Sequence, residues 1–402
     1  MRVSIFTDSF LPFTSGVTFS VLNQAAELSK RGHEISIFRP KPSRRAKVAD
    51  VEIPPGVEIY NVPFGIPVPR VPQLRLTMPS IVSSLFRLRK INPDIVHLNT
   101  EWGCGWEGLI ASSLLRKPTI GTFHTFFADP GYLKSFGLPS FKLLQTAMWR
   151  YSVFFFNSCR NVTSPSNAVK QSLLDHGIKR DPIIIPNGIP KLEPIDWKAV
   201  KHQRSKMQIH GPSFVYVGRI SPEKSIDVIL KAFAVVLRKR RRAKLIIIGD
   251  GPSLPAMKQL AQDLQLRSAV EFLGHVDHDR LIAERMPLLG DMFVTASKTE
   301  NQPMSILEAM SFGLPVVGAN SKGIPELVQH EHNGMLFAAD DHEQMAKRML
   351  RMSYKTNMTR RMGRNAMISA LGFQMPSVAD QLENLYTQTI ELNKKKRKRA
   401  HA

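Results

Sequence analysis

Two short stretches in the second half of the chain gather residues able to bind phosphate. In Val217-Gly-Arg-Ile-Ser-Pro-Glu-Lys224 an apolar run ends at Gly218, Arg219 follows, and Lys224 stands five residues later at the expected start of a helix. Strand ends in open α/β sheets face ligands. An Arg there offers a planar fork to phosphate oxygens, a Lys a point charge, and a helix N-terminus unpaired N–H groups. The plainer alternative is a surface Arg and a solvated first-turn Lys. The second stretch, Glu300-Asn-Gln-Pro-Met-Ser-Ile-Leu-Glu308, sets two carboxylates eight positions apart. Eight residues on a helix is slightly over two turns, so both can address one cleft. Between them, the N–H groups of a helix start around Met304 and Ser305 can hold phosphate oxygens. Glu308 sits in the apolar run Ile306-Leu-Glu-Ala-Met310 and needs a partner there, such as a hydroxyl-bearing ligand. The alternative is a loop charge and a solvated helix residue.

Two further positions lie in the first half. His124 in Gly121-Thr-Phe-His-Thr-Phe-Phe127 follows a strand and is flanked by aromatics. It is a candidate contact to substrate, although such a histidine is more often packed structurally. Gly16 in Phe13-Thr-Ser-Gly-Val17, in the first strand–helix loop, would let backbone approach a phosphate or sugar, or is a plain turn glycine. Other motifs carry less. Gly249-Asp-Gly251 lacks the third glycine of a dinucleotide fingerprint, since position 254 is Leu, so NAD or FAD use is not expected. No GxxxxGK loop is present. Asp277-His-Asp279 reads as helix capping, and His330-Glu-His332 lacks the helical spacing of a zinc site, so no metal is expected.

The elements that must position these residues follow from a chain of 402 residues, enough for two or three domains. Hydrophobic residues at 43% and charged residues at 22% exclude disorder of the whole chain. Lys and Arg number 55 against 33 Asp and Glu, a net +22 that points to an anionic partner: nucleic acid, acidic lipid or phosphorylated small molecules. Only Cys104 and Cys159 are present, which excludes a disulfide-rich scaffold and fits buried thiols in a reduced compartment. The opening run Val3–Phe6 is too short for a signal-peptide core, and no run approaches the ~20 apolar residues of a membrane span. A cytoplasmic protein is expected.

Strands are expected at Arg2–Thr7, Glu34–Phe38, Asp94–Leu98, Pro118–Thr122, Asn161–Thr163 and Pro182–Ile185, alternating with helices. The first helix runs through Val21, Leu22, Ala25 and Leu28, and Gly32 ends it. Lys41–Pro79 reads as surface loops with short strands, and Pro186–Pro190 as a domain boundary. A second series has strands at Phe214–Val217, Leu245–Ile248, Val270–Leu273, Met292–Thr295, Pro315–Val317 and Gly334–Phe337. The fold class is α/β: two Rossmann-like, doubly wound domains, 1–188 and 189–376, facing across a cleft, with a basic tail at 393–402.

Together these stretches resemble the large retaining glycosyltransferase family four, which has the two-domain GT-B fold, over nearly the whole chain. The specific part is C-terminal: Val217–Lys224, Gly249-Asp-Gly-Pro252, Phe272-Leu-Gly274, Glu300 through Val317, and Gly323-Ile-Pro-Glu-Leu-Val328. The resemblance implies that Arg219 and Lys224 bind the donor diphosphate, that Glu308 bonds the nucleotide ribose, and that Glu300 and His124 lie beside the donor sugar. It implies donor contacts from the Gly16 loop, from Leu273 and Gly274 at the base, and from Met304 and Ser305. It implies a last helix at about 377–392 that crosses back to the N-terminal domain. It also implies retention of anomeric configuration, with the leaving diphosphate taking the acceptor proton and no dedicated base. Physically, charge builds on the leaving diphosphate as the sugar becomes oxocarbenium-like, and Arg219, Lys224 and helix N–H groups can stabilise it without metal or cofactor.

One departure is informative. The commoner pattern has two adjacent glycines where this chain has Ser15-Gly16. Several lipid-modifying members share the single glycine. Phe123-His-Thr125 with Tyr132 likewise resembles members that glucosylate or mannosylate diacylglycerol or phosphatidylinositol lipids. Basic stretches at Ile81–Lys90, Leu237–Lys244 and Lys394–Arg399, with the aromatic Phe141–Phe156, suit an anionic membrane surface. The expected activity is therefore hexose transfer from a nucleotide sugar, UDP-glucose foremost, to a membrane lipid such as diacylglycerol, on the inner face of the cell membrane. Rivals are a polysaccharide, lipopolysaccharide or soluble acceptor, a GDP-mannose donor, and a sugar-nucleotide epimerase on the same fold. A basic nucleic-acid-binding protein is disfavoured, because no RNA-recognition aromatic motif or zinc module accompanies the charge.

Overall fold

The computed structural model describes residues 1–43, 51–68, 71–78, 80–130, 133, 139–266 and 268–399. The chain divides into two compact units, Met1–Pro190 with Gln374–Ala402, and Lys191–Phe373.

In the first unit the strands are β1 (Arg2–Phe6), β2 (Glu34–Pro40), β3 (Val57–Val62), β4 (Gly65–Val68), β5 (Val71–Thr77), β6 (Ile95–Leu98), β7 (Thr119–Thr122), β8 (Asn161–Ser164) and β9 (Ile183–Ile184). β4 and β5 pair antiparallel as a separate hairpin. The others form one parallel sheet in the order β3-β2-β1-β6-β7-β8-β9. The Lys41–Pro79 region holds the expected short strands, β3, β4 and β5, and β3 extends the main sheet, pairing Ile37 with Ile59. Its residues 44–50, 69, 70 and 79 lie outside the described residues, as does Tyr132. Val3, Ile5 and Phe6 of β1 are fully buried, as a strand covered on both faces requires.

The last helix, Met375–Arg399, belongs to this unit. Val378, Ala379, Leu382, Leu385 and Tyr386 recur at helical spacing and are buried in one core with Val3, Ile5, Val21, Ala25 and Leu28. Arg31 pins the same helix through Asp380 at 2.6 Å and Glu383 at 2.7 Å. The basic stretch Lys394–Arg399 is the end of this helix, not a separate tail. Lys and Arg are good helix formers and suit the negative end of the helix dipole.

The second unit holds β10 (Ser213–Val217), β11 (Lys244–Ile248), β12 (Val270–Gly274), β13 (Met292–Thr295), β14 (Val316–Ala319) and β15 (Gly334–Phe337). They form a parallel sheet in the order β12-β11-β10-β13-β14-β15. Its core includes Phe214, Leu245, Ile247 and Val294 of the strands and Ile229, Leu230, Phe233 and Val236 of helix Ile226–Lys239.

Both sheets reverse direction once, at β1/β6 and at β10/β13. At such a switch point the flanking crossovers leave to opposite faces, and a crevice opens at the carboxyl ends of the two strands. Cys104 and Cys159 are free and buried; burial pushes both thiols up, Cys159 to about 12. No helix among the described residues is long and apolar enough to cross a membrane.

Candidate functional site

The crevice of the second unit collects most of the residues singled out in the sequence. Arg219 leaves the end of β10, and the Tyr216 hydroxyl donates to its carbonyl at 2.9 Å, fixing the backbone. Its guanidinium donates to Glu223 Oε1 at 2.8 Å, and the Ser221 hydroxyl donates to the same oxygen at 2.6 Å. Burial drives the Glu223 carboxyl upward, but the Ser221 hydroxyl and Arg219 outweigh it and hold it below the usual carboxylate range. Glu223 went unnoticed in the sequence, although its i+4 spacing from Arg219 was a readable signal. Gly249 owes its place here to packing: a Cβ would lie 1.9 Å from the Gly218 carbonyl oxygen. Gly249-Asp-Gly251 therefore lets the loops after β10 and β11 touch.

Lys224 does not open a helix, as its position had suggested. It ends a 3-10 turn, Pro222–Lys224, and Ser225 in the left-handed region (φ 50°) separates it from helix Ile226–Lys239. That turn aims its ammonium at the loop after β13, where it donates to Glu300 Oε1 at 2.5 Å. The pair is 20% and 19% exposed, so it is open to a ligand. The Gly323 N–H bonds the Glu300 carbonyl at 2.9 Å and holds the loop in place.

Helix Met304–Ser311 follows directly. No side chain caps it, and among the described residues the N–H groups of Met304 and Ser305 have no acceptor. These are the positive, hydrogen-bond-ready end of the helix dipole. Glu308 is buried on this helix, but its partner is a protein group: His278 Nε2 donates to Glu308 Oε1 at 2.8 Å. Burial pulls the His278 pKa down, yet the bond and charge of Glu308 raise it above its ordinary value. The two glutamates thus pair with different groups, Glu300 with Lys224 and Glu308 with His278. His278 stands in helix His278–Ala283, carried there by the loop that leaves β12 at Leu273 and Gly274. Asp277 occupies the N-cap position, but its side chain makes no capping bond. Only the tertiary fold brings positions 278 and 308 together.

The crevice of the first unit has a different character. His124 follows β7, and its Nε2 lies 2.8 Å from Asn99 Oδ1, which accepts from it. Burial pushes the imidazole down to about 4, so it is neutral at pH 7. Asp8, beyond β1, is buried and accepts from the Thr100 hydroxyl at 2.8 Å and from the Cys104 N–H at 3.1 and 3.2 Å. It thereby caps helix Gly103–Leu114, which has no other side-chain cap. Burial raises it to about 6 against those hydrogen bonds. Glu101, buried and bonded by the Ser152 hydroxyl at 3.0 Å, is raised by burial to about 7. Neither acid was singled out in the sequence, since isolated carboxylates after short strands carry no spacing signal. Gly16 is not in the loop: it opens helix Gly16–Lys30, and Ser15 is the N-cap, accepting from the Thr18 N–H at 3.2 Å. The serine in place of a second glycine is thus a capping residue.

Comparison with known proteins covers both units. Residues 200–368 match the model of glycosyl transferases group 1, and residues 14–191 match that of glycosyltransferase family 4. Alpha-monoglucosyldiacylglycerol synthase of Streptococcus pneumoniae is 31% identical over 348 residues, covering 84% of this chain and 75% of the relative. A GDP-mannose-dependent alpha-mannosyltransferase of Mycolicibacterium smegmatis is 29% identical over 97% of this chain and 98% of its own length. The crystal structure of HepE of Anabaena in complex with UDP and glucose superposes with a TM-score of 0.76 at 19% identity, over 96% of this chain and 99% of that one. With both units matched and 31% identity to a relative over most of the chain, this protein belongs to the group 1, family 4 glycosyltransferases, and its two Rossmann-like units are those of the GT-B fold.

Proposed function

We propose that the protein is a retaining hexosyltransferase that moves a sugar, glucose from UDP-glucose foremost, onto a hydroxyl of a membrane lipid such as diacylglycerol. The observation that carries this reading is the crevice at β10/β13, where Arg219, Lys224 and an uncapped helix end converge. The donor diphosphate takes its charge-assisted bonds from Arg219 and Lys224 and further bonds from the Met304 and Ser305 N–H groups. Glu308, held by His278, accepts from the ribose hydroxyls. Leu273 and Gly274 lie against the base, and Glu300 and His124 against the sugar. As the anomeric C–O bond breaks, the two cations stabilise the leaving diphosphate, and that diphosphate accepts the proton of the attacking lipid hydroxyl. Such a step requires neither a side-chain base nor a metal. Gly16, at the positive end of its helix, is assigned to a phosphate or sugar oxygen.

The lipid acceptor is supported by the Streptococcus pneumoniae relative and by the surface of the first unit. Helix Val82–Ile91 exposes Val82 and Phe86 beside Arg87, Arg89 and Lys90. The aromatic stretch divides: Phe155 and Phe156 are core, whereas Phe141, Leu143 and Phe154 are exposed. Exposed apolar side chains among basic ones fit peripheral docking on an anionic inner membrane face. A mannosyl donor is the second reading, favoured by the full-length match to the GDP-mannose-dependent relative.

The test is thermal stabilisation by UDP-glucose, GDP-mannose and their free diphosphates, followed by product analysis with diacylglycerol vesicles. A midpoint shift with one nucleotide, and an α-linked glycolipid formed only with acceptor present, is the expected result. Stabilisation by none of them would overturn the donor assignment, and a β-linked product would overturn retention.

A further inference from the structure

Six of the seven residues of Arg238-Lys-Arg-Arg-Arg-Ala-Lys244 are basic, and the crevice uses none of them. The structure gives ordinary roles to some. Arg238 and Lys239 lie in the last turn of helix Ile226–Lys239, where cations suit the dipole. The Arg240 guanidinium lies 4.8 Å from the centre of the Tyr354 ring. Lys244 donates to the Ser268 carbonyl at 2.7 Å. Arg241 and Arg242 are left over. Both are exposed, and among the described residues neither side chain has a hydrogen bond or an ion pair.

Their backbone is nonetheless rigidly held. The Ala243 N–H bonds the Arg240 carbonyl at 2.8 Å, closing a four-residue turn with Arg241 and Arg242 at its two corners. The Lys244 N–H bonds the Pro212 carbonyl at 3.0 Å, docking that turn on the loop before β10. The docking is close because residue 211 is Gly: a Cβ there would lie 2.2 Å from the Arg242 carbonyl oxygen. The turn thus holds the backbones of two adjacent arginines in place, with His210 on the adjoining loop. Between them opens a recess of about 510 Å³, with Leu237 among its apolar lining and His210, Arg241, Arg242, Lys244 and Ser268 among its polar lining. Among the described residues no acidic side chain and no Phe, Tyr or Trp lines it.

We propose that this recess is a second anion site, which takes a compact phosphate-bearing group independently of the donor crevice. It lies at the amino ends of β10, β11 and β12, whereas Arg219 and Glu300 follow the carboxyl ends of β10 and β13. The five residues of β10 put about 13 Å between the two ends. Paired Arg forks match phosphate oxygens bidentately, which a dispersed basic surface does not. Among the described residues the His210 ring is all that a run of stacked bases would meet in the recess, which turns the choice away from single-stranded nucleic acid. The phosphate comes from a free polyphosphate-type anion or from a lipid headgroup, and the experiment separates these sources.

The test starts from the full-length Arg219→Ala/Lys224→Ala variant, which removes both cations of the proposed donor crevice. Inorganic pyrophosphate is titrated into it calorimetrically, with and without the added pair Arg241→Ala/Arg242→Ala. Partition onto phosphatidylcholine vesicles containing phosphatidic acid is measured for the same two proteins. Pyrophosphate affinity is expected to fall about tenfold or more with the added pair, because the charge-assisted bonds of both guanidinium groups are lost. A fall confined to vesicle partition would assign the phosphate to the lipid headgroup and also support the site. No change in either measurement overturns the proposal. So does full recovery in an Arg241→Lys/Arg242→Lys variant, which keeps the charge but lacks the forks.

Discussion

The two crevices occupy the same topological position in sheets of the same kind, yet they treat charge in opposite ways. At β10/β13 the ionisable side chains stand in pairs, Arg219 with Glu223, Lys224 with Glu300 and His278 with Glu308, and pairing favours the charged forms of Glu223 and His278 against burial. At β1/β6 burial drives the groups toward their neutral forms, Asp8 to about 6, Glu101 to about 7, His124 to about 4. His97 goes further, to about 3, buried between the Tyr386 hydroxyl at 2.7 Å and the Thr122 hydroxyl at 2.6 Å. A paired, partly exposed charge can exchange its partner for a diphosphate. A desolvated neutral group is better suited to hydroxyls and apolar surface. The contrast fits a phosphate-handling second unit and a first unit that meets sugar and lipid, as the proposed function requires.

That contrast can be broken from either side. The largest effect is expected at the paired cations. Arg219→Ala or Lys224→Ala should weaken nucleoside diphosphate binding about 10- to 100-fold, measured calorimetrically, because each removes charge-assisted bonds to phosphate. Unchanged affinity in both would remove the donor crevice from its assigned role.

Next is Asp8, which tests burial against ionisation. Its folded pKa of about 6 lies above the ordinary 3.8, so its contribution to stability is fully present below 3.8 and is lost as pH rises through 6. Asp8→Asn keeps a neutral side chain at every pH. Denaturant unfolding of the two proteins at pH 4 and pH 6.5 should show the wild type losing about 2 kcal/mol relative to the variant over that window. A pH-independent difference would mean that Asp8 is ionised as readily in the fold as in the unfolded chain.

A smaller effect is expected at His278, a positioning residue that touches Glu308. His278→Ala should raise the Kd for nucleoside diphosphates about tenfold, with little change for inorganic pyrophosphate, which has no ribose. Equal weakening of both ligands would show a general disturbance of the crevice. The smallest effect is expected on the outer surface. Phe86→Ser with Phe154→Ser should lower partition onto anionic vesicles several-fold, while activity on detergent-dispersed diacylglycerol stays near wild type. Parallel loss of both would place these residues in acceptor binding and not in docking.

Much of the architecture was legible because it rests on local pattern. Short apolar runs separated by helical repeats identify parallel strands, and the Gly-Arg and Glu-rich stretches lie at strand ends wherever such runs stop. Short strands were legible in Lys41–Pro79, but the place of β3 in the main sheet was not, because its run Val57–Val62 is amid Pro-rich sequence and is only partly buried at the sheet edge. The helical state of Lys394–Arg399 escaped because a charge run looks the same as a solvated tail or as a helix end.

At the site the division is sharper. Arg219, Lys224, Glu300 and Glu308 could be named from residue type and spacing, since phosphate and hydroxyl chemistry demands such groups beside a strand end or helix start. Their pairing could not. Lys224 meets Glu300 across 76 positions and His278 meets Glu308 across 30, and such contacts are set by which strands become neighbours. The shift of Asp8, Glu101 and His124 toward their neutral forms is equally a tertiary property, because desolvation depends on what packs over a group and not on its identity. The sequence by itself determined which functional groups the protein owns and where along the chain helices and strands must carry them. Tertiary structure alone decided which of those groups meet, which are cut off from water, and therefore which carry charge.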